Sequence, residues 1–166
     1  MTPVTLRRAE PGELDTVLRL LKEAALWLGE KRIDYWQDWI SPPAHFVDWI
    51  EQGFSQNQFY MVHDGEEVIG CFRLQWCDPL FWGQRADHAG YVHSFAISRD
   101  RAGQGLGKRV LGLIEGRCRQ KGKDLLRLDC GVDVVGLRRY YEQYGFKPVG
   151  QVAVEGEELV LYEKQI

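Results

Sequence analysis

Residues 91–110 read YVHSFAISRDRAGQGLGKRV, and the reading of this stretch decides the fold. Tyr91, His93, Phe95 and Ile97 alternate with Val92, Ser94 and Ala96, the two-residue period of a strand over 91–97 with two distinct faces. Gly103, Gly105 and Gly107 then make a turn. From Leu106 the apolar positions Val110, Leu113 and Ile114 return at helical spacing. Strand, glycine turn, helix is the sequence form of an anion site. The first helical turn leaves N–H groups without partners, and the helix dipole adds partial positive charge there. Glycines let a phosphate come close to the backbone with no Cβ in the way. Lys108 and Arg109, just inside the helix, add charge.

Downstream, Lys121-Gly122-Lys123 suits a helix C-terminus, and 125–130 reads as the next strand. Leu137, Tyr140, Tyr141 and Tyr144 form a second helical stripe stopped by Gly145. Residues 147–152 and 159–162 read as a closing hairpin across Glu155-Gly156-Glu157. Upstream, 4–8 is a short strand and Leu14, Val17, Leu18, Leu21 and Ala25 mark a helix ending near Gly29. The aromatic-rich segment 33–59 reads as short helices divided by Pro42-Pro43, with Ser41 as a cap. Two strands, near 59–63 and 68–76, flank an Asp64-Gly65 turn. Residues 77–88 read as a loop. The expected order is β-α-α-β-β-β-α-β-α-β-β. It predicts an α/β fold with a mixed central sheet of about seven strands and helices on both faces.

With 166 residues the chain is one ordinary domain, expected to run over 1–166. The 12% aromatic content excludes a disordered chain. A net charge of −3 gives no footprint for nucleic acid or an anionic membrane. No apolar run reaches the roughly 20 residues of a membrane span, and charges interrupt the first eight positions where a secretory leader is apolar. The expected location is cytoplasmic. Cys71, Cys77, Cys118 and Cys130 form no C-x-x-C pair and no zinc spacing, so they read as free thiols, mostly packed inside, and no metal is expected.

Two other phosphate-binding patterns compete for the glycine turn. A Walker A loop needs G-x-x-x-x-G-K-[ST], and here Ala102 replaces the first glycine and Arg109 the Mg²⁺-binding hydroxyl. A dinucleotide fold needs G-x-G-x-x-G after its first strand with an acid about 20 residues on. This turn is G-x-G-x-G and comes late, although Asp124 and Asp129 keep that alternative open.

Taken together, Phe95-Ala96-Ile97, the turn from Arg101 to Gly107, and Tyr140-Tyr141-Glu142-Gln143-Tyr144-Gly145-Phe146 resemble the GNAT superfamily of N-acetyltransferases. That family combines an apolar strand, [RQ]-x-x-G-x-[GA] opening a helix, and a later L-Y-x-x-x-G-F. The resemblance covers nearly the whole chain and is strongest over 91–150. It implies acetyl transfer from acetyl-CoA to an amine. It also implies that the backbone of Phe95, Ala96 and Ile97 pairs with the pantetheine arm, and that the amides of Gly103, Gln104, Gly105, Leu106, Gly107 and Lys108 cradle the pyrophosphate. Parallel strands that splay would leave a gap for the thioester. Two departures stand out. Ala102 sits where Arg or Gln is frequent, and Val134 sits near a frequent loop Asn.

Acyl transfer to an amine needs a neutral nitrogen, a stabilised oxyanion and a proton for the leaving thiolate. Tyr141 occupies the family's general-acid position, four residues before Gly145; packing within its own aromatic stripe is the competing role. His93, on the strand and facing as Phe95 does, is the candidate base, directly or through a water; a hydrogen-bonded structural histidine is the alternative. Trp36, Trp39, Trp49 and Phe54 are placed to wall an acceptor pocket, with Asp34, Asp38, Asp48 and Glu51 nearby to attract a cation, although packing accounts for most of them. The expected partners are a small-molecule or peptide amine and a second copy of the chain. A non-catalytic CoA-binding sensor on the same fold is the alternative function.

Overall fold

The computed structural model describes residues 2–86 and 88–166; Met1 and position 87, the latter within the expected loop, lie outside the described residues. Among the described residues there are seven strands and five helices: β1 (Val4–Arg8), α1 (Leu14–Glu30), α2 (Ala44–Ser55), β2 (Phe59–Asp64), β3 (Glu67–Gln75), α3 (Pro79–Trp82), β4 (Ala89–Ile97), α4 (Leu106–Gln120), β5 (Leu125–Gly131), α5 (Val135–Gln143), β6 (Lys147–Val154) and β7 (Glu157–Gln165). The strands form one mixed sheet in the order β1-β2-β3-β4-β5-β7-β6. β4 and β5 run parallel and the hairpin pairs run antiparallel.

The chain forms two compact units interleaved in sequence. One comprises the residues up to Arg73 with Ser94–Leu113, and the other comprises Leu74–His93 with Ile114–Ile166. In the first, α1 directs Val17, Leu20 and Leu21 onto Ile50 of α2 and onto Phe59, Met61 and Cys71 of the β2–β3 hairpin. Trp36, Trp39, Trp49 and Phe54 pack against this cluster. The face of Trp49 is already covered by the buried Arg73 guanidinium, 4.1 Å from the ring centroid. The expectation that packing explains most of these aromatics therefore holds for Trp49. In the second unit Trp82, Ala89, Tyr91 and Leu161 form a buried cluster. Arg127 beside it donates to Tyr91 Oη and to Glu163, both at 2.8 Å.

Local differences from the sequence reading have local causes. Helix α1 continues through Gly29, and the left-handed residue that follows it is Arg32, φ 59°. Ser41 does not cap α2: Pro43 takes its N-cap position and no side chain caps it, while Ser41 closes the preceding 3-10 turn. Leu113 is 38% exposed, and Leu111 and Cys118 join Leu106, Val110 and Ile114 inside. Residues 77–88 are not all loop, because Asp78-Pro79 opens α3. Asp78 accepts from Phe81 N at 3.4 Å, and proline at the first helical position gives up an N–H that would have no partner. The largest difference is in β4. Ser94 has φ 53°, a left-handed residue in mid-strand, so the regular alternation behind the expected shared face of His93 and Phe95 is interrupted between them.

Candidate functional site

The glycine turn is built for close approach. Gly103 and Gly105 have φ of 78° and 71°, a region that side chains rarely adopt, and a Cβ at either would meet no described atom within 4 Å. Open space thus faces the backbone where the sequence placed an anion. Helix α4 begins at Leu106, and its first bond back along the chain is Arg109 N to Gly105 O, 3.2 Å. The amides of Leu106, Gly107 and Lys108 therefore have no acceptor within the helix. Gln104 and Lys108 are exposed and Leu106 is buried beneath them. An adjoining cavity of about 540 Å³ is lined by Thr2, Val4, Asp64, Gln104, Leu106 and Arg109. Arg101 does not stand in for a cation at Ala102: its guanidinium is held at 2.8 Å by Asp64 and again by Glu67.

On the strand leading into this turn, Ala96 is buried and Phe95 and Ile97 are half-buried. Ser98 N donates to Ile69 O at 2.7 Å, and Gly70 lets the strand come close: a Cβ there would lie 2.7 Å from Ala96 O. β4 pairs with β5 over Ala89–Tyr91 against Leu125–Arg127. Among the described residues that ladder stops there, while β4 runs on to Ile97 and β5 to Gly131.

The titratable centre lies in the second unit. His93 Nε2 is 2.6 Å from Asp78 Oδ2, and both side chains are almost fully buried. Asp78 is fixed by its other oxygen, which caps α3. The same short helix supplies Phe81, whose ring lies 4.5 Å from the imidazole. His93 Nδ1 is 3.8 Å from Asp129 Oδ2, a buried oxygen with no hydrogen-bond partner among the described residues. Burial pushes the Asp129 carboxyl up to about 6; His93 opposes the rise, and Asp78 and Glu157 add to it. Donor atoms of Asp78, His93 and Asp129 all lie within 4.8 Å of one another, a spacing seen in metal clusters. Here the two carboxylates face opposite ring nitrogens, so an ion on either nitrogen would leave one acid behind the ring. The arrangement is an imidazole hydrogen-bonded to one acid and facing a second, unbonded acid across 3.8 Å.

Tyr141 is buried, edge-on to Phe146 at 5.7 Å and to Tyr140 at 5.5 Å. Burial, with Cys130, Tyr140 and Asp129 adding to it, drives its phenol far above the ordinary range, so the proton stays on at every physiological pH. Asp129 is thus felt by both His93 and Tyr141. Val134, at the departure from the loop Asn, is buried and packs instead. Sequence reasoning missed Asp78 and gave Asp129 no role beside His93. The signals were present: an Asp-Pro pair inside a supposed loop, and a lone acid within the apolar strand Leu-Leu-Arg-Leu-Asp-Cys.

Comparison with known proteins agrees with the fold. The profile of the acetyltransferase (GNAT) family matches residues 19–146. The uncharacterized N-acetyltransferase YesJ of Bacillus subtilis (strain 168) is 27% identical over 160 residues, 93% of this chain and 86% of that one. A GNAT-family acetyltransferase from Listeria monocytogenes 4b F2365 superposes with a TM-score of 0.79 at 25% identity, covering 98% of this chain and 95% of the other. A GNAT-family acetyltransferase from Elizabethkingia anophelis, solved with acetyl-CoA bound, shares the fold at a TM-score of 0.62 and 16% identity, covering 98% of each chain. The chain belongs to the acetyltransferase (GNAT) family and is an enzyme of acetyl transfer.

Proposed function

We propose that the chain, as a single domain over 1–166, is an acetyl-CoA-dependent N-acetyltransferase in which a primary amine of a small molecule or an exposed protein amine attacks the thioester directly. The observation that carries this reading is the pair of left-handed glycines before α4, with open space where their side chains would be. Such a turn suits a pyrophosphate held by the amides of Gly103, Gln104, Gly105, Leu106, Gly107 and Lys108. The backbone of Phe95, Ala96 and Ile97 is assigned to the pantetheine arm. Acetyl-CoA supplies an acyl group already activated as a thioester.

His93 takes a proton from the acceptor ammonium, leaving the electron pair on nitrogen. The C–N bond forms as the C–S bond breaks, and Tyr141 protonates the departing thiolate. The second proton lost by nitrogen as the amide forms restores Tyr141. Products are the N-acetyl amide, free CoA and one proton, released from His93 to solvent. The acids around His93 favour a cationic acceptor over an anionic one. This reading requires no metal and no nucleic acid. Among the described residues no helix is long and apolar enough to cross a membrane. We place the chain in the cytoplasm, with a homodimer as its expected assembly.

The test is incubation with acetyl-CoA and a panel of primary alkylamines, following free thiol. Thiol release that depends on the amine is expected. CoA-dependent thermal stabilisation without any release would leave a coenzyme-binding module, and NADH binding without CoA binding would overturn the assignment.

A further inference from the structure

We propose that Asp78 and Asp129 are positioning residues for proton removal. Asp78 holds Nε2–H of His93, so that Nδ1 is the accepting atom, and Asp129 Oδ2 receives the charge that forms there. This rests on the reading of His93 as the base.

The argument starts from the donor inventory. Asp78 is capped onto α3 through Oδ1, and its Oδ2 at 2.6 Å from Nε2 accepts. With that oxygen accepting, the ring proton of neutral His93 sits on Nε2 and the lone pair on Nδ1. Phe81 packs beside the ring, 4.5 Å between centroids, and the bond to Asp78 orients it. Nδ1 then faces Asp129 Oδ2 across 3.8 Å, too long for a hydrogen bond and short enough for strong attraction once the ring is charged.

Asp129 makes no sense as packing. A buried carboxylate oxygen without a donor costs stability, and an amide of the same shape would fill the space without charge. The oxygen acquires a partner only when Nδ1 gains a proton. In that step the N–H bond of the acceptor ammonium breaks, its proton moves to Nδ1, and its electron pair stays on nitrogen. The imidazolium is then flanked by two carboxylates. Around Asp129 the other facing groups are Glu157 from β7, Tyr141 from α5 and Cys130 on its own strand. None of them offers a second positive charge. The proton therefore belongs to the Nδ1···Oδ2 pair and titrates with it.

The test reads the ring directly. Long-range ¹H–¹⁵N correlation of the full, uniformly labelled chain, with His93 assigned through His93→Gln, reports its tautomer and titration without any substrate. The expected result is an Nε2–H ring in the wild type. Asp129→Asn keeps that tautomer and lowers the titration midpoint by about one pH unit. Asp78→Asn mixes the tautomers. With the fastest alkylamine of the panel, Asp129→Asn lowers kcat about tenfold or more and leaves KM for acetyl-CoA unchanged, and Asp129→Glu recovers part of the loss. A wild-type ring protonated on Nδ1 when neutral, or a midpoint and kcat indifferent to Asp129→Asn, overturns the proposal. The first of these needs neither the Asp129 nor the Asp78 variant to fold. CoA-induced thermal stabilisation is scored separately: its absence in the wild type overturns the acetyltransferase reading and the relay together, whereas normal stabilisation with an Nδ1–H ring overturns the relay alone.

Discussion

Replacing Asp129 by Asn should stabilise the folded protein, and only above a definable pH. In the wild type burial raises the carboxyl from 3.8 to about 6, against the pull of His93 and with the push of Asp78 and Glu157. At about 1.4 kcal/mol per tenfold change in proton affinity, the fold favours the protonated acid by about 3 kcal/mol. The folded value lies above the unfolded one. This contribution is therefore complete below the unfolded value of about 4 and is lost as pH rises through about 6. The carboxamide of the variant carries no proton to lose. The stability of Asp129→Asn relative to wild type should accordingly rise between about pH 4 and about pH 7.5, by up to about 3 kcal/mol. Urea unfolding followed by circular dichroism across that range measures the difference directly. The comparison cancels every carboxylate and histidine outside the cluster, because both proteins share them. A difference that stays flat within about 0.5 kcal/mol would refute the burial cost assigned to this acid. The same variant should lose turnover, so that stability and activity move in opposite directions.

Three other outcomes follow from the geometry. Tyr141→Phe should lower kcat by about 10²- to 10⁴-fold with little change in acetyl-CoA affinity, measured by steady-state thiol release; an unaltered rate removes Tyr141 from the role of acid. Gly105→Val forces a branched side chain into φ 71° and into the open space before α4; CoA should then give a smaller thermal shift than it gives the wild type, each against its own unliganded baseline, and an unchanged shift counts against the phosphate cradle. An aromatic disulfide reagent should titrate Cys77 alone in the native protein, since Cys77 is exposed whereas Cys71, Cys118 and Cys130 are buried, their thiols pushed up to about 12 by burial; rapid reaction of a second thiol would show that the cores open more readily than they pack.

How much could be read from the chain alone differs from element to element, for physical reasons. The glycine turn was legible because φ near +70° at Gly103 and Gly105 almost requires glycine, so the constraint is written in the residue type. Helix α4 was legible in its period and less so in its rotation: Leu113 and Leu111 are chemically alike, and only tertiary packing decides that Leu111 is inside. Tyr141 could be placed through its spacing to Gly145, but the electrostatic link to Asp129 joins residues distant in sequence and has no local signature. Asp78 was hidden for the opposite reason. Its local chemistry, a cap with proline behind it, was fully written, but α3 is only four residues long and has no periodicity to announce it. The kink at Ser94 left no trace at all, because serine is an ordinary strand residue and its type does not announce a positive φ.

That kink divides β4 into two segments whose side-chain orientations are no longer locked together. In a regular strand, a one-residue slip re-faces every later side chain with it. Here the inversion at position 94 uncouples the half bearing the imidazole from the half leading into the glycines, so either can diverge without re-facing the other. That freedom holds only while position 94 keeps a residue that tolerates a positive φ.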